Sequence, residues 1–231
     1  METAEFDSFG DSYREIHDRN LSFTGMNSLF FARQKAMILA GEERVFAGKR
    51  VLDLGCGDGA LLHFLEELDP GAEYLGVDES VVSIEHATKC YPKIRFEVGN
   101  GFVLRFPHEY FDVVILACVV HHVTKAKRDL FFKEILRVLK KGGRVYVFEH
   151  NPLNPVTKFL VRTCVFDKGV SLVGKHRLSE MLRCNGFHVF QGYYYLFFPE
   201  PRTRFWLSLE KKMKWLPFGG QYFLAATKDH A

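Results

Sequence analysis

The residues best suited to chemistry cluster around one glycine-rich turn. Val51-Leu52-Asp53-Leu54 is an apolar run that carries one acid, and Gly55-Cys56-Gly57-Asp58-Gly59 follows it directly. A helical pattern, Ala60 to Leu68, comes next. Strand, tight turn and helix start in that order let a ligand approach the backbone where no Cβ intervenes and where the first helical amides are open. Two ligand classes use such a turn. Gly55, Gly57 and Ala60 loosely fit the dinucleotide pattern G-x-G-x-x-G/A. Asp53 argues the other way, because a carboxylate at the strand end repels a pyrophosphate and suits a cation. A second acid, Asp78, closes the apolar run Glu73 to Val77 near the ~20-residue offset at which a ribose-binding carboxylate is expected. Three histidines, His121, His122 and His150, also stand just after or at the end of predicted strands. They supply a general base near neutral pH.

Leu52-Asp53-Leu54-Gly55-Cys56-Gly57-Asp58-Gly59 resembles the first motif of the class I S-adenosylmethionine-dependent methyltransferases. The resemblance covers about residues 45 to 228 and extends to bacterial small-molecule members with an Asn-Pro loop after the fifth strand, here Asn151 to Pro155. It implies a Rossmann-like, doubly wound α/β sheet of seven mostly parallel strands with the last one antiparallel. It implies S-adenosylmethionine as methyl donor and S-adenosylhomocysteine as product. Cofactor contacts are then expected at Asp53, Gly55, Cys56, Gly57, Asp78, Glu79, Asn100, Gly101, Phe102, Ala117 and Cys118. Asn100 stands where the family commonly has Asp, and would accept from the adenine amino group; an Asn-Gly turn is the competing reading. The resemblance includes the His pair, with His122 its more recurrent member. His121, His122 and His150 are the candidate catalytic residues, although His122 could equally order its loop or contact the cofactor's amino-acid end.

The elements that must position these groups follow from periodicity. Strands are expected at Glu73–Asp78, Ile94–Val98, Phe111–Cys118, Gly143–Glu149, Phe187–Phe198 and Gln221–Thr227, with helices at Val81–Cys90, Asp129–Lys140 and Ser179–Asn185. Gly142 reads as the C-cap of the second of these helices, and Asp78 or Ser80 as the N-cap of the first. Alternating strands and helices imply a parallel sheet, whose ligands bind beyond the carboxyl ends of its strands. Asp53, Asp78, Asn100, His122 and His150 should therefore converge on one crevice.

The chain reads as a single domain, 1–231. Residues 1–48 form a helical lid, 49–149 the cofactor-binding half and 150–231 the substrate side. Tyr13 and Arg33 in the lid, and Asn151 and Asn154 in the Asn-Pro loop, are the candidate substrate contacts. A lid that only covers a sheet edge is the plainer alternative. No metal is expected: adjacent His121 and His122 would point apart in extended chain, and no further cluster has ligand spacing.

With 231 residues, 47% hydrophobic, the chain is long and apolar enough for a substantial core. A net charge of +3 argues against a nucleic-acid partner. Five cysteines without a C-x-x-C pattern read as free thiols in a reducing cytoplasm. No signal peptide or transmembrane run is visible. Phe205, Leu209, Met213 and Leu216 share one helical face beside Lys211, Lys212 and Lys214. That segment reads either as a surface helix packed on its own domain or as a peripheral membrane contact. The expected acceptor is a small molecule, apolar or lipid- or sugar-linked, methylated at oxygen or carbon. An NAD-dependent oxidoreductase and a non-catalytic binding module on the same sheet are the rival readings.

Overall fold

In the computed structural model, residues 28–42, 46–164, 167, 169–198 and 204–229 are described. The helical spacing from Phe6 to Ile16, and Tyr13 with it, lies outside them.

The order of elements is α1 (Ser28–Glu42), β1 (Arg50–Leu54), α2 (Ala60–Leu68), β2 (Glu73–Asp78), α3 (Val81–Cys90), β3 (Arg95–Val98), β4 (Phe111–Ala117), α4 (Arg128–Val138), β5 (Leu139–His150), α5 (Pro155–Thr163), α6 (Lys175–Cys184), β6 (Phe187–Tyr195), α7 (Arg204–Met213) and β7 (Gln221–Lys228). The seven strands form one sheet in the order β3-β2-β1-β4-β5-β7-β6. β1 pairs parallel with β2 and β4, and β4 with β5. β7 runs antiparallel to both β5 and β6, so it alone is reversed.

Period-two alternation divides the core between the two faces of the sheet. Leu52, Leu54, Val114, Leu116, Val145 and Val147 pack on one side with Phe131, Phe132 and Ile135 of α4. Val51, Val113, Ile115, Tyr146 and Phe148 pack on the other with Ala36 and Leu39 of α1 and Leu61, Leu62 and Leu65 of α2. Of the Tyr193–Tyr195 run, Tyr194 joins the first core and Tyr193 and Tyr195 the second.

Several boundaries differ from expectation: α6 starts at Lys175 instead of Ser179, β6 stops at Tyr195 instead of Phe198, and α4 gives way early to β5. α4 ends at Val138, and Leu139, not Gly142, is its C-cap, with its N–H donating to the Ile135 carbonyl. Leu139 is fully buried and pairs with Phe111, and the ladder is irregular from there to Val113. Core burial thus draws the chain into the sheet early. Gly142, at φ 69, lies within β5, and Lys140 pairs with Asp112 at 2.7 Å instead of capping a helix. The N-cap of α3 is Ser80, whose hydroxyl accepts from Ser83 N–H.

Candidate functional site

The strand ends position the site as the topology requires. After β1 the chain turns through Gly55, whose N–H donates to the Val77 carbonyl at 2.7 Å. Gly55 has φ 80, and a Cβ there would lie 2.5 Å from the Val119 side chain. Gly57, at φ 52, faces open space, with nothing within 4 Å of an added Cβ. The turn therefore offers backbone and no side chain to whatever lies above it. Asp78, at the end of β2, holds the loop: one carboxylate oxygen accepts from Gly57 N–H at 2.8 Å and the other from Ser80 N–H at 3.0 Å.

Two cavities meet over this loop. The larger, about 540 Å³, runs from Asp53, Gly55 and Gly57 to Phe31, Ala32 and Lys35 of α1, to α5, and to Leu196–Phe198. The smaller, about 330 Å³, is lined by Asp78, Glu79, Asn100–Phe102, His121 and His122 among others. Gly55, Gly57, Ala117, Cys118, His150, Cys164 and Asp167 line both. The expected convergence of Asp53, Asp78, Asn100, His122 and His150 is thus present. Cys118, just past β4, sits at φ 62 in the left-handed region, a strained position for a non-glycine residue.

Asp53 is 1% exposed, and its Oδ1 has no hydrogen-bond partner. Burial pushes its carboxyl up to about 7, the Asp78 charge adds to the rise, Lys35 opposes it and Asp58 adds slightly. A buried acid with an orphaned oxygen beside open backbone suits a cationic group. Burial also raises Asp78, although the Ser80 and Gly57 N–H groups hold it down. The donor set fits S-adenosylmethionine, which carries an ammonium and a sulfonium, better than a dinucleotide. A consequence for pH follows with its sign. A cationic ligand group held at Asp53 would favour its ionised form, so affinity for such a ligand should rise with pH through about 7. Between pH 6 and 7.5 the ionised fraction grows about eightfold, and the Kd of S-adenosylmethionine should fall by about that factor. Asp53→Asn should flatten the profile, which calorimetry across this range checks; an equally steep profile in the variant would assign the dependence to another group.

The histidines differ sharply. His121 is buried, and its Nδ1 meets Glu149 Oε2 at 2.6 Å. Burial alone would depress its pKa, but the Glu149 carboxylate beside it prevails and pushes it up to about 10. Glu149, fully buried, also accepts from Val120 and His121 N–H through Oε1. A histidine held protonated in this way is a poor base, which removes His121 from that role. His121 Nε2 lies 3.4 Å from Asp167 Oδ1 but has no hydrogen-bond partner. Burial, and then the charge on His121, holds His150 down to about 4. It is neutral at pH 7 and weakly basic. His122 is partly exposed, with Nε2 3.4 Å from the same Asp167 oxygen.

His121 and His122 do not point apart. Their ring centroids are 4.2 Å from each other, because the chain turns after β4 instead of staying extended. His121, His150 and Asp167 bring ligand-capable atoms within 4.8 Å of one another. The ground on which a metal was not expected therefore does not hold.

Several expected contacts are placed elsewhere. Asn100 Oδ1 accepts from Phe102 and Val103 N–H at 3.0 and 3.1 Å, so the oxygen expected to serve adenine closes its own turn. Gly101 lines the smaller cavity beside it, its backbone against the Phe131 ring. Asn151 is buried; its amide donates to the Pro217 and Gly219 carbonyls, and its oxygen accepts from Leu153 N–H. Asn154 lines the larger cavity but is the N-cap of α5 and donates to the Phe218 carbonyl. Both asparagines tie the Asn-Pro loop to the chain before β7 and have little left for a substrate. Arg33 is exposed and lines neither cavity. Two residues on, roughly half a helical turn round, Lys35 takes the place expected of it.

Lys35, Glu149 and Asp167 are the groups that sequence reasoning missed. Asp167 had a visible signal, an acid beside Lys168 in an otherwise apolar stretch after α5. What the sequence does not reveal is that Ser171 N–H reaches the His121 carbonyl at 3.4 Å and Tyr222 Oη the Val173 carbonyl at 2.7 Å, fixing the following loop over the site.

Residues 52–147 match the family model described as a methyltransferase domain. The chain is 36% identical over 106 residues to a ubiquinone biosynthesis O-methyltransferase of Chelativorans sp., spanning 44% of this chain and 40% of that protein. It is 35% identical over 124 residues to a demethylmenaquinone methyltransferase of Thermus thermophilus, spanning 52% and 54%. The chain thus covers about half or less of the length of these relatives. Among solved structures, an S-adenosylmethionine-dependent methyltransferase of Mesorhizobium loti superposes with TM-score 0.63 at 21% identity, over 83% of this chain and 96% of that one. Residues 52–147, which carry the glycine loop, are thus similar to the methyltransferase domain of S-adenosylmethionine-dependent enzymes, and the fold is that of the solved methyltransferase.

Proposed function

We propose that the protein transfers the methyl group of S-adenosylmethionine to an oxygen or carbon of a small amphipathic acceptor. The observation that carries this reading is the pair of cavities joined over one glycine loop. The smaller holds Asp78 and the Asn100–Phe102 turn, suited to an adenosine. The larger is walled mainly by apolar side chains and contains one cation, Lys35, the only lysine or arginine among the described residues lining it. S-adenosylmethionine supplies an already activated methyl group. The chain's own task is to hold the acceptor in line and exclude water. His122 is the histidine placed to take an acceptor proton, with Asp167 orienting it.

The rim of the larger cavity supports an apolar or lipid-linked acceptor. Val156, which lines it, and Leu153 and Phe159 beside it are more than half exposed. Phe218, tied to this loop through Asn154, is 62% exposed. Exposed apolar residues grouped at a cavity mouth mark a contact surface. Among the described residues no helix is long and apolar enough to cross a membrane, so any membrane contact made here is peripheral. The names of the relatives, which refer to ubiquinone biosynthesis and demethylmenaquinone, point to acceptors of this kind.

The test is transfer of radiolabelled methyl from S-adenosylmethionine to acceptors offered as free polar heads and as prenyl- or acyl-linked forms. Turnover with a linked form at least tenfold above its free head supports the reading; equal turnover removes the apolar part of it. Lys35→Met should raise the acceptor KM about tenfold or more through loss of a charged contact. Measured at pH 8, above the value of about 7 that Asp53 has with Lys35 in place, it should leave the Kd of S-adenosylhomocysteine within about twofold. A KM unchanged by the substitution would remove Lys35 from the acceptor's contacts.

A further inference from the structure

We infer that His121, His150 and Asp167 form a binding site for one divalent cation of the zinc class, at the junction of the two cavities. The residues come from three places in the chain: the turn after β4, the end of β5 and the loop after α5. Their ligand-capable atoms lie within 4.8 Å of one another. His121 Nε2 and Asp167 Oδ1 are 3.4 Å apart. Donors on a tetrahedral ion with bonds of 2.0–2.1 Å sit about 3.3 Å apart, so this pair already has the spacing and the widest needs to close by about 1.5 Å.

A second observation is independent of that spacing. His121 Nε2 is buried, aimed into the cluster and without a hydrogen-bond partner, while Nδ1 is bound to the buried Glu149 carboxylate at 2.6 Å. A carboxylate behind a histidine fixes its ring and presents the far nitrogen to a metal; the ion would displace to solvent the proton that Nε2 carries in its absence, so binding releases a proton. Glu149 is itself held by Val120 and His121 N–H, as a group with a positioning role should be. Two imidazoles and one carboxylate select zinc-like ions over magnesium or calcium, which prefer all-oxygen sites. Three protein ligands leave a coordination position open, as in catalytic zinc sites.

His150 and Asp167 line both cavities, so that open position faces the place where acceptor and methyl group would meet. An acceptor hydroxyl bound there becomes more acidic. It can release its proton to His122, whose Nε2 lies 3.4 Å from Asp167. The acceptor class is thereby narrowed to molecules offering an oxygen ligand. This role rests on the methyl-transfer reading; binding of the ion does not.

The test uses the full chain stripped with a chelator and titrated with Co²⁺ or Zn²⁺, without cofactor or acceptor. One ion per chain is expected, with cobalt giving visible d–d bands and no sulfur-to-metal charge transfer. Asp167→Asn and His150→Gln, each shown folded by circular dichroism and melting, should weaken binding at least tenfold. The double variant His86→Ala/Cys90→Ser, which removes an exposed pair 3.4 Å apart on α3, should bind as wild type does. Absence of stoichiometric binding overturns the site. So does binding that survives both cluster variants, or that is lost with His86 and Cys90. If the ion binds as described but no acceptor is ever methylated, the site stands and the functional reading falls.

Discussion

S-adenosylhomocysteine titrated into Asp78→Ala should bind up to about 100-fold more weakly than into wild type. Asp78 lines the smaller cavity, and one N–H occupies each of its oxygens, from Gly57 and from Ser80. An ionised carboxylate has about four acceptor sites; with the Glu79 N–H also directed at Asp78, one is left for a ribose hydroxyl. Hydrogen bonds to a charged group contribute about 1.5–3 kcal/mol each. Losing one removes up to about 3 kcal/mol, which sets the hundredfold as the upper end of the expected loss. The substitution also releases the Gly57 and Ser80 amides, so the loop could loosen without any direct ligand role for Asp78. Ser80→Ala separates the two effects. It removes the α3 cap, Ser80 Oγ accepting from Ser83 N–H at 3.2 Å, at a cost of about 1 kcal/mol in stability, and it leaves the Asp78 carboxylate in place. Binding within about threefold of wild type in Ser80→Ala, beside the large loss in Asp78→Ala, assigns the effect to the ligand. Equal losses in both would assign it to the loop, and an Asp78→Ala variant that binds normally would remove Asp78 from the cofactor site.

The parts of this site that could be read in advance are those that local sequence determines. Ala60–Leu68, Glu73–Asp78 and Val81–Cys90 form over the expected residues because periodicity, turn residues and a cap agree within each segment. The acids at the ends of β1 and β2 follow from the same pattern, since the carboxyl ends of parallel strands face the crevice. Three kinds of information were not local. Helical phase decided between Arg33 and Lys35: both lie on α1, and only its packing on α2 and the sheet determines which one faces inward. Burial decided the character of the histidines. His121 and His122 are adjacent and chemically identical, yet one is paired with Glu149 in the core and the other is partly exposed. Loop anchoring decided the fate of Asn151 and Asn154, which resemble substrate contacts in a polar loop but are used up on carbonyls more than 60 residues away. In each case the partner is remote in sequence, and spacing along the chain carries no trace of it.

Glu149→Ala should lower stability by about 3–5 kcal/mol, the largest effect expected of any single change in the site. Glu149 is fully buried, as is the His121 side chain it faces. Forming such a pair gains little over an apolar one, but removing one partner strands the other charge in the core. His121 would have to lose its proton or remain as an unpaired cation, and Val120 N–H would lose its acceptor. For a chain of this size each kcal/mol is about 2–4 °C in Tm, so a fall of about 6–20 °C is expected in a chelator-treated sample, where no bound ion contributes. A double change provides the internal check. If the cost comes from the stranded charge, His121→Phe/Glu149→Leu should be clearly more stable than Glu149→Ala, because neither partner is then left uncompensated. If the double variant falls by the sum of the two single losses, the pair is uncoupled and the destabilisation is a cavity effect. A Tm change below about 3 °C in Glu149→Ala would mean that His121 sheds its proton at little cost. The imidazole could then be neutral and available, which would return His121 to the candidates for the base.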